Sequence, residues 1–248
     1  MKPIRKQLII LGSSGKLSQK LIENKGIMLS GMYEKIFLID TVSPSKDSIV
    51  IQSNKFSFSC IEINSWIKEF DFTDQTDLIM TIGKDYPVMD NKSMPEKVFL
   101  DEYASFAEDF YLNSGYIYNI LAKCENHGVK DCMFITFDSI YSEVAPIRRL
   151  YESGVKPLAY GMAKTQLLLM AKCVRRNFHS KNWLIYNLKL GAVSGLNLQT
   201  DFLDKYLDIT ASSGYTDIIS LLDTIEFLLE KRPASLSGGT LDFTMRDS

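Results

Sequence analysis

Short apolar runs that each stop at a glycine or a polar residue, and are mostly followed by a helix-forming stretch, recur along the chain. This alternation restricts the fold more than any other feature of the sequence. Lys6 to Leu11 is apolar and stops at Gly12-Ser13-Ser14-Gly15, after which residues 16–25 continue as a helix. Lys35 to Asp40 is a second strand, closing on an acid. The stretch Ile49 to Ile63 is rich in Val, Ile and Phe but broken at Ser53-Asn54-Lys55, so it reads as a hairpin or as a loop followed by one strand at 56–62. Asp77 to Ile82 is closed by Gly83, Cys132 to Phe137 runs toward Ser139, Trp183 to Leu190 ends at Gly191, and Gly239 to Phe243 comes last. Between them, apolar positions spaced three and four apart predict a helix at about 103–126, and further helices are expected within 157–176 and at 217–230.

Strands this short, apolar on both faces and separated by helices, form a parallel sheet between two helical layers. The expected fold class is therefore α/β, a three-layer Rossmann fold with a mostly parallel, doubly wound sheet, as one domain over residues 1–248. The sheet looks trimmed around its second and third strands. Residues 41–48 hold Ser43-Pro44-Ser45 where a helix is due, and Asn64 to Asp71 has room for barely two helical turns. In open sheets of this kind a ligand lies beyond the carboxyl ends of the strands, at the point where the strand order reverses. Gly12, Asp40, Gly83, Ser139 and Gly191 each follow a strand and so converge on that edge.

Charge removes several function classes. The net charge of −2, with acids and bases interspersed, gives no basic field to attract nucleic acid or an anionic membrane. Apolar runs such as 167–171 and 36–39 are far too short to span a bilayer, and the N-terminus lacks a secretory pattern, so the expected location is the cytoplasm. Cys60, Cys124, Cys132 and Cys173 are scattered without a C-x-x-C pair and read as buried thiols; with only His127 and His179 available, no metal site is expected.

The chemistry-bearing residues begin with Tyr160-Gly-Met-Ala-Lys164 at the start of a helix. One turn separates the phenol from the ammonium, so both point to one side. A lysine cation favours phenolate over phenol, which lets a tyrosine act as general base or acid. The motif falls 20 residues after Ser139 in Thr136-Phe-Asp-Ser139-Ile-Tyr, and after Asn113 in Phe110-Tyr-Leu-Asn113. With the glycine-bearing first turn, the glycine after the sixth strand and Ser-Gly-Gly-Thr-Leu before the last one, this order resembles the short-chain dehydrogenase/reductase family across essentially the whole chain. The resemblance implies a catalytic set of Asn113, Ser139, Tyr160 and Lys164. Tyr160 would exchange a proton with the substrate oxygen, Ser139 would orient that oxygen, Lys164 would hold the nicotinamide ribose, and Asn113 would support a water relay behind the lysine.

It also implies a dinucleotide. Gly12-x-x-Gly15-x-x-Ser18 is similar to the family's three-glycine turn, with Ser18 in place of the third glycine, where its Cβ would push helix from strand. Gly12, Ser14, Gly15, Lys16 and Leu17 would surround the pyrophosphate, with helix N–H groups presented to it. Asp40 would accept from the adenine ribose and repel a 2′-phosphate, pointing to NAD rather than NADP, while Glu62 and Ile63 would flank the adenine. Thr81 and Gly83 stand where the family carries Asn-Asn-Ala-Gly, both amides being lost. Tyr160, Lys164, Gly191 and Val193 would lie on the nicotinamide side. Because the adenine side is the more altered, a cofactor-free chain that kept only the fold is the alternative.

The stretch from Ile140 to Ala159 is longer than the family's usual connection and would arch over the site. It carries Tyr141, Arg148, Arg149 and Tyr151 as candidate substrate-binding residues, a set that suits a polyhydroxylated or anionic small molecule. Its pattern is similar to a bacterial branch of the family found with surface-sugar biosynthesis. The expected function is NAD-dependent interconversion of an alcohol and a carbonyl on a sugar or nucleotide-sugar. The alternatives are a cofactor-free subunit that stabilises or regulates a partner, and an epimerase or dehydratase passing through a transient keto intermediate. Residues 194–216 would close over the site, and the helices at 103–126 and 163–173 would form the core of a homodimer or homotetramer.

Overall fold

Apolar residues on both faces of each central strand require cover on both sides, and the chain supplies it with helices. A computed structural model describes residues 4–40, 56–60, 69–82, 89–90, 115–143, 154–155, 158–177, 182–196, 204–207 and 214–244. In chain order the elements are β1 (Arg5–Leu11), α1 (Lys16–Met32), β2 (Tyr33–Asp40), β3 (Phe56–Cys60), β4 (Gln75–Met80), β5 (Met89–Asp90) and α2 (Tyr116–Asn126). They continue with β6 (Asp131–Ser139), a 3₁₀ turn (Ile140–Ser142), β7 (Gly154–Val155), α3 (Leu158–Asn177), β8 (Asn182–Leu190), α4 (Ile218–Lys231) and β9 (Thr240–Phe243).

Seven strands form one sheet in the order β3-β2-β1-β4-β6-β8-β9, and every neighbouring pair is parallel. β5 and β7 make a separate two-residue antiparallel pair. The order reverses between β1 and β4, which opens the crevice expected of a doubly wound sheet. The Rossmann architecture expected from the alternation is therefore present. β3 pairs parallel with β2, so Phe56–Cys60 is a strand of the sheet, while the rest of the stretch 49–63 read as a hairpin or a loop lies outside the described residues. Of the segments on which the trimming was read, 41–48 and all of 64–71 but its last three residues lie outside the described residues.

Alternate residues of the strands feed two cores. On one face Leu8, Ile10, Leu38 and Ile135 pack against Leu21, Ile22 and Leu29 of α1 and Leu221, Ile225 and Leu228 of α4. On the other, Ile9, Leu11, Leu78 and Phe134 pack against Ile120 and Leu121 of α2 and Leu167 and Ala171 of α3. Three layers follow directly from this period of two. α1 runs on to Met32 instead of stopping near residue 25, because Leu29 still has core to cover. Cys124 and Cys132 are buried as expected, but Cys173 is exposed on the outer side of α3. Among the described residues no helix is long and apolar enough to cross a membrane.

At the amino-terminal ends of the strands, the edge away from the crevice, charges are buried together. Asp77 accepts from Arg5 Nη2 (3.1 Å), from Arg232 Nη1 (2.9 Å to each oxygen) and from Tyr33 Oη (2.8 Å). Asp131 bridges the same two arginines, at 2.8 Å from Arg5 and 2.6 Å from Arg232. The network ties β1, β2, β4, β6 and the C-cap of α4 to one another, which a carboxylate buried as fully as Asp77 requires.

Candidate active site

The first wall of the crevice is the turn after β1. Gly12 has φ +82, and a Cβ there would lie 2.8 Å from Thr81 Oγ1 and 2.9 Å from the amide nitrogen of Ile82, so only glycine fits. The amides of Gly12 and Ser13 donate to the Ile39 carbonyl and that of Gly15 to the Gly12 carbonyl. Gly15 is the N-cap of α1 and supplies no side-chain cap, and the first turn contains no acid. The N–H groups of Lys16 and Leu17 therefore have no intrahelical acceptor and face outward with the positive end of the helix dipole. Ser13 Oγ is buried with no hydrogen-bond partner among the described residues. Outward amides, an uncapped helix end and an orphaned hydroxyl fit an anionic group such as a dinucleotide pyrophosphate.

Asp40, the last residue of β2, accepts from the Ser14 amide (2.8 Å) and the Ser14 hydroxyl (2.6 Å), both at Oδ2. It thus closes the turn as well as standing beside it. Ser18, which replaces the expected glycine, is completely buried, and its hydroxyl lies 2.7 Å from Thr81 Oγ1, just beyond β4.

The second wall is the end of β6. Ser139 is its last residue, and its Oγ caps the 3₁₀ turn by accepting from the Tyr141 amide (3.3 Å). A serine hydroxyl that accepts in this way keeps its one proton to donate elsewhere. Beneath it sits Asp138, a buried carboxylate that the sequence reading missed. It accepts from the Ser139 amide (2.7 Å), the Ser142 hydroxyl (3.0 Å) and Asn187 Nδ2 (3.3 Å). Burial pushes the Asp138 carboxyl above its ordinary value, opposed by those three donors and by the charge of Lys164. Asn187 links this bracket to β9 through Thr240 Oγ1 (3.3 Å) and to β6 by accepting from Thr136 Oγ1 (3.0 Å).

α3 supplies the third wall. Lys164 is buried and its Nζ donates to the Phe137 carbonyl (3.1 Å), two residues before Ser139. The same Nζ lies 5.8 Å from the centre of the Tyr160 ring, within cation–π range. That ring meets Tyr141, two residues after Ser139, edge-on at 6.3 Å. The approach depends on Gly161, whose added Cβ would lie 2.5 Å from the Tyr141 carbonyl oxygen; the glycine inside Tyr-Gly-Met-Ala-Lys is thus part of the site. The Thr165 hydroxyl donates to the Ser142 carbonyl (2.9 Å) and fixes the helix to the turn.

Beyond β8, a Cβ on Gly191 would collide with the Tyr206 hydroxyl and lie 3.3 Å from Thr244. Val193 is buried in the core and bridges to Thr216. Lys189, buried on β8, pairs with Glu143 (2.7 Å) and Asp242 (2.5 Å), anchoring the start of the long connection to the last strand.

The structure thus brings Gly12, Ser14, Gly15, Lys16, Leu17, Asp40, Thr81, Ser139, Tyr141, Tyr160, Lys164, Gly191 and Val193 to the carboxyl edge of one parallel sheet. Asn113, Glu62, Ile63, Gly83, Arg148, Arg149 and Tyr151 lie outside the described residues, as do 197–203 and 208–213 of the expected closing segment.

Solved structures of similar shape cover nearly the whole chain. A short chain dehydrogenase from Leptospira borgpetersenii with bound NAD+ superposes with a TM-score of 0.73 at 20% identity, covering 97% of this chain and 91% of that one. A short-chain dehydrogenase/reductase from Serratia marcescens gives 0.72 at 14% identity, covering 98% of each. An enzyme assigned as a D-mannonate oxidoreductase from Haemophilus influenza, with bound NAD, gives 0.69 at 17% identity, covering 97% and 94%. No family model and no curated protein matches the chain. At these identities the likeness is one of fold, and the fold is that of the short-chain dehydrogenases/reductases.

Proposed function

We propose that the chain is a single-domain, divergent short-chain dehydrogenase/reductase, an NAD-dependent oxidoreductase that interconverts an alcohol and a carbonyl. One observation carries this reading: a buried lysine on α3 reaches the strand that ends in Ser139 while its ammonium lies over the ring of Tyr160. The nicotinamide supplies or accepts the hydride when bound. Tyr160 Oη takes the hydroxyl proton in the oxidation direction and returns it in reduction. The Ser139 hydroxyl donates to the substrate oxygen as charge grows on it, and the Lys164 ammonium favours the phenolate.

Lys16 and Leu17 would offer amides to the pyrophosphate, Gly12 and Gly15 the room to approach, and Val193 and Gly191 main chain to the nicotinamide. Asp40 supports NAD over NADP, since a 2′-phosphate would meet its carboxylate. From the resemblance alone, Asn113 would complete the proton relay, Glu62, Ile63 and Gly83 would flank the adenine half, and Arg148, Arg149 and Tyr151 would join Tyr141 around the substrate. A sugar or nucleotide-sugar substrate is supported by the polar connection after Ser139 and by the D-mannonate assignment of one structural neighbour. Exposed Tyr118 on α2 and Met162 and Leu169 on α3 support a homodimer or homotetramer built on those helices, in the cytoplasm.

The test is a fluorescence titration with NADH and NADPH, followed by turnover with a panel of sugars. Tight NADH binding and loss of turnover of about 100-fold or more in Tyr160→Phe are expected, with the fold retained. An unchanged rate in Tyr160→Phe would remove the assigned role. The second reading, a cofactor-free subunit, draws on the double hold of Asp40 on Ser14, which closes the turn from within. It predicts no fluorescence change with either nucleotide.

A further inference from the structure

Two places where the sequence departs from the pattern it resembles touch each other in the fold. Ser18 replaces a packing glycine on α1, Thr81 stands in a segment that has lost two amides after β4, and their hydroxyl oxygens are 2.7 Å apart. Thr81 Oγ1 is also 2.9 Å from the Leu11 carbonyl oxygen and 2.9 Å from that of Gly12, and the Thr81 amide donates to Leu11 as well.

Donor counting orders this knot. A hydroxyl has one proton to give and carbonyls can only accept. If Thr81 gave its proton to Ser18, three oxygens would crowd together at 2.9 Å with no proton between them. Thr81 therefore donates to the turn carbonyls, and Ser18 donates to Thr81. The chain Ser18 → Thr81 → Leu11/Gly12 joins the first turn of α1, the end of β4 and the end of β1 at one atom. That atom also explains Gly12, because it occupies the space a Cβ would need.

We infer that Ser18 and Thr81 form a hydroxyl clasp that positions the phosphate-binding turn. The clasp does by hydrogen bonding what a third glycine does by close packing, so the serine is an active part of the turn and not a defect tolerated by it. Both are positioning residues: their hydroxyls are consumed within the knot, and they act through the amides of Lys16 and Leu17. The inference rests on the dinucleotide-binding reading above.

NADH affinity, measured by fluorescence well below every melting temperature, tests it in wild type, Ser18→Gly, Ser18→Ala, Thr81→Val, Thr81→Ser and Ser18→Ala/Thr81→Val. Thr81→Val is expected to weaken NADH about tenfold and Ser18→Ala about fivefold, the scale of one buried hydrogen bond. The double variant should be no worse than Thr81→Val alone, and Thr81→Ser should bind within about twofold of wild type. Ser18→Gly decides the sign. The clasp predicts weaker binding, whereas a serine that is mere bulk predicts tighter binding when the glycine is restored. Tighter binding in Ser18→Gly, or affinities within about twofold of wild type in Ser18→Ala and Thr81→Val with only the melting temperature lowered, overturns the clasp and leaves the oxidoreductase standing. Should Thr81→Val not fold, Ser18→Gly and Ser18→Ala decide between the same two outcomes. Wild-type protein that binds neither NADH nor NADPH overturns the oxidoreductase reading itself, and the cofactor role of the clasp with it.

Discussion

A single carboxylate, Asp138, holds the backbone on which Ser139 is displayed, and its position costs something. Burial raises its proton affinity in the folded state, while the donors from Ser139, Ser142 and Asn187 and the charge of Lys164 pull the other way. A carboxyl raised above its unfolded value contributes stability at low pH that is lost as pH climbs through the folded value. Asp138→Asn cannot ionise and so escapes that loss. Its amide also sets one N–H against Asn187 Nδ2, a constant penalty of about 1–3 kcal/mol. The stability of Asp138→Asn relative to wild type is therefore expected to improve as pH rises from about 3 toward neutrality, as read by urea melts across that range. A flat difference would show that the carboxylate titrates as it does in the unfolded chain. Tyr160, Lys164 and Ser139 were legible in the sequence because their spacing is local or follows a strand. Asp138 and Gly161 were not, since what makes them matter is contact with Asn187 and Tyr141, brought close only by the fold.

Strand β9 closes one edge of the sheet with four residues, none of them fully buried, so it depends on the charges that pin it. Lys189 holds both Asp242 and Glu143. Burial is the largest single influence and works against charge on both partners of the β8–β9 pair, but it is outweighed by the other groups together: Lys189 and two hydrogen bonds from Thr244 at Asp242, and Asp242 with Glu143 at Lys189. The Asp242 carboxyl ends below its ordinary value, and the Lys189 ammonium above its own. A lowered carboxyl contributes stability above the unfolded aspartate value that is lost as pH falls through the folded one, and a raised lysine contributes below about 10.4, lost as pH rises further. The latch is thus complete between those limits. The protection of the Leu241 and Phe243 amides, relative to the exchange of an unfolded chain at the same pH, should be high at neutral pH and fall below about pH 4, and in Asp242→Asn it should be low throughout. Equal exchange in the two proteins would mean that packing alone holds the edge. At this scale the sequence was most readable in elements with a clear period. β8 was placed within a residue, as was α4, whose N-cap Asp217 accepts from the Ser220 amide at 2.9 Å. The end of α1 was misplaced, falling at Met32 and not near residue 25, because Leu29 and the core it fills decide the matter. The long connection between Ser139 and α3 offered composition but no period.

Across the whole molecule, the two ends of the sheet differ: the carboxyl edge carries the residues proposed to react, and the amino edge carries the buried arginine–aspartate network. Removing one member of such a network strands the others in low dielectric. Arg232→Met is expected to destabilise the protein by about 3–5 kcal/mol, because Asp77 and Asp131 each lose a guanidinium. The affinity for NADH should stay within about twofold, since nothing in that network reaches the crevice. Denaturation and nucleotide titration of the same preparation check both halves, and a large fall in affinity at unchanged stability would contradict this division. The strand order has a kinetic consequence as well. β1 needs β4 beside it, with Gln7 opposite Thr76, and β4 in turn needs β6, with Gln75 opposite Asp131. No strand of the large sheet can zip onto its predecessor through a tight turn, so loops of tens of residues must close before their contacts reward the lost entropy. Refolding should accordingly be slow for a chain of this size, and a nascent chain that has not yet emerged past β6 would expose the flank of β4 to whatever strand meets it first.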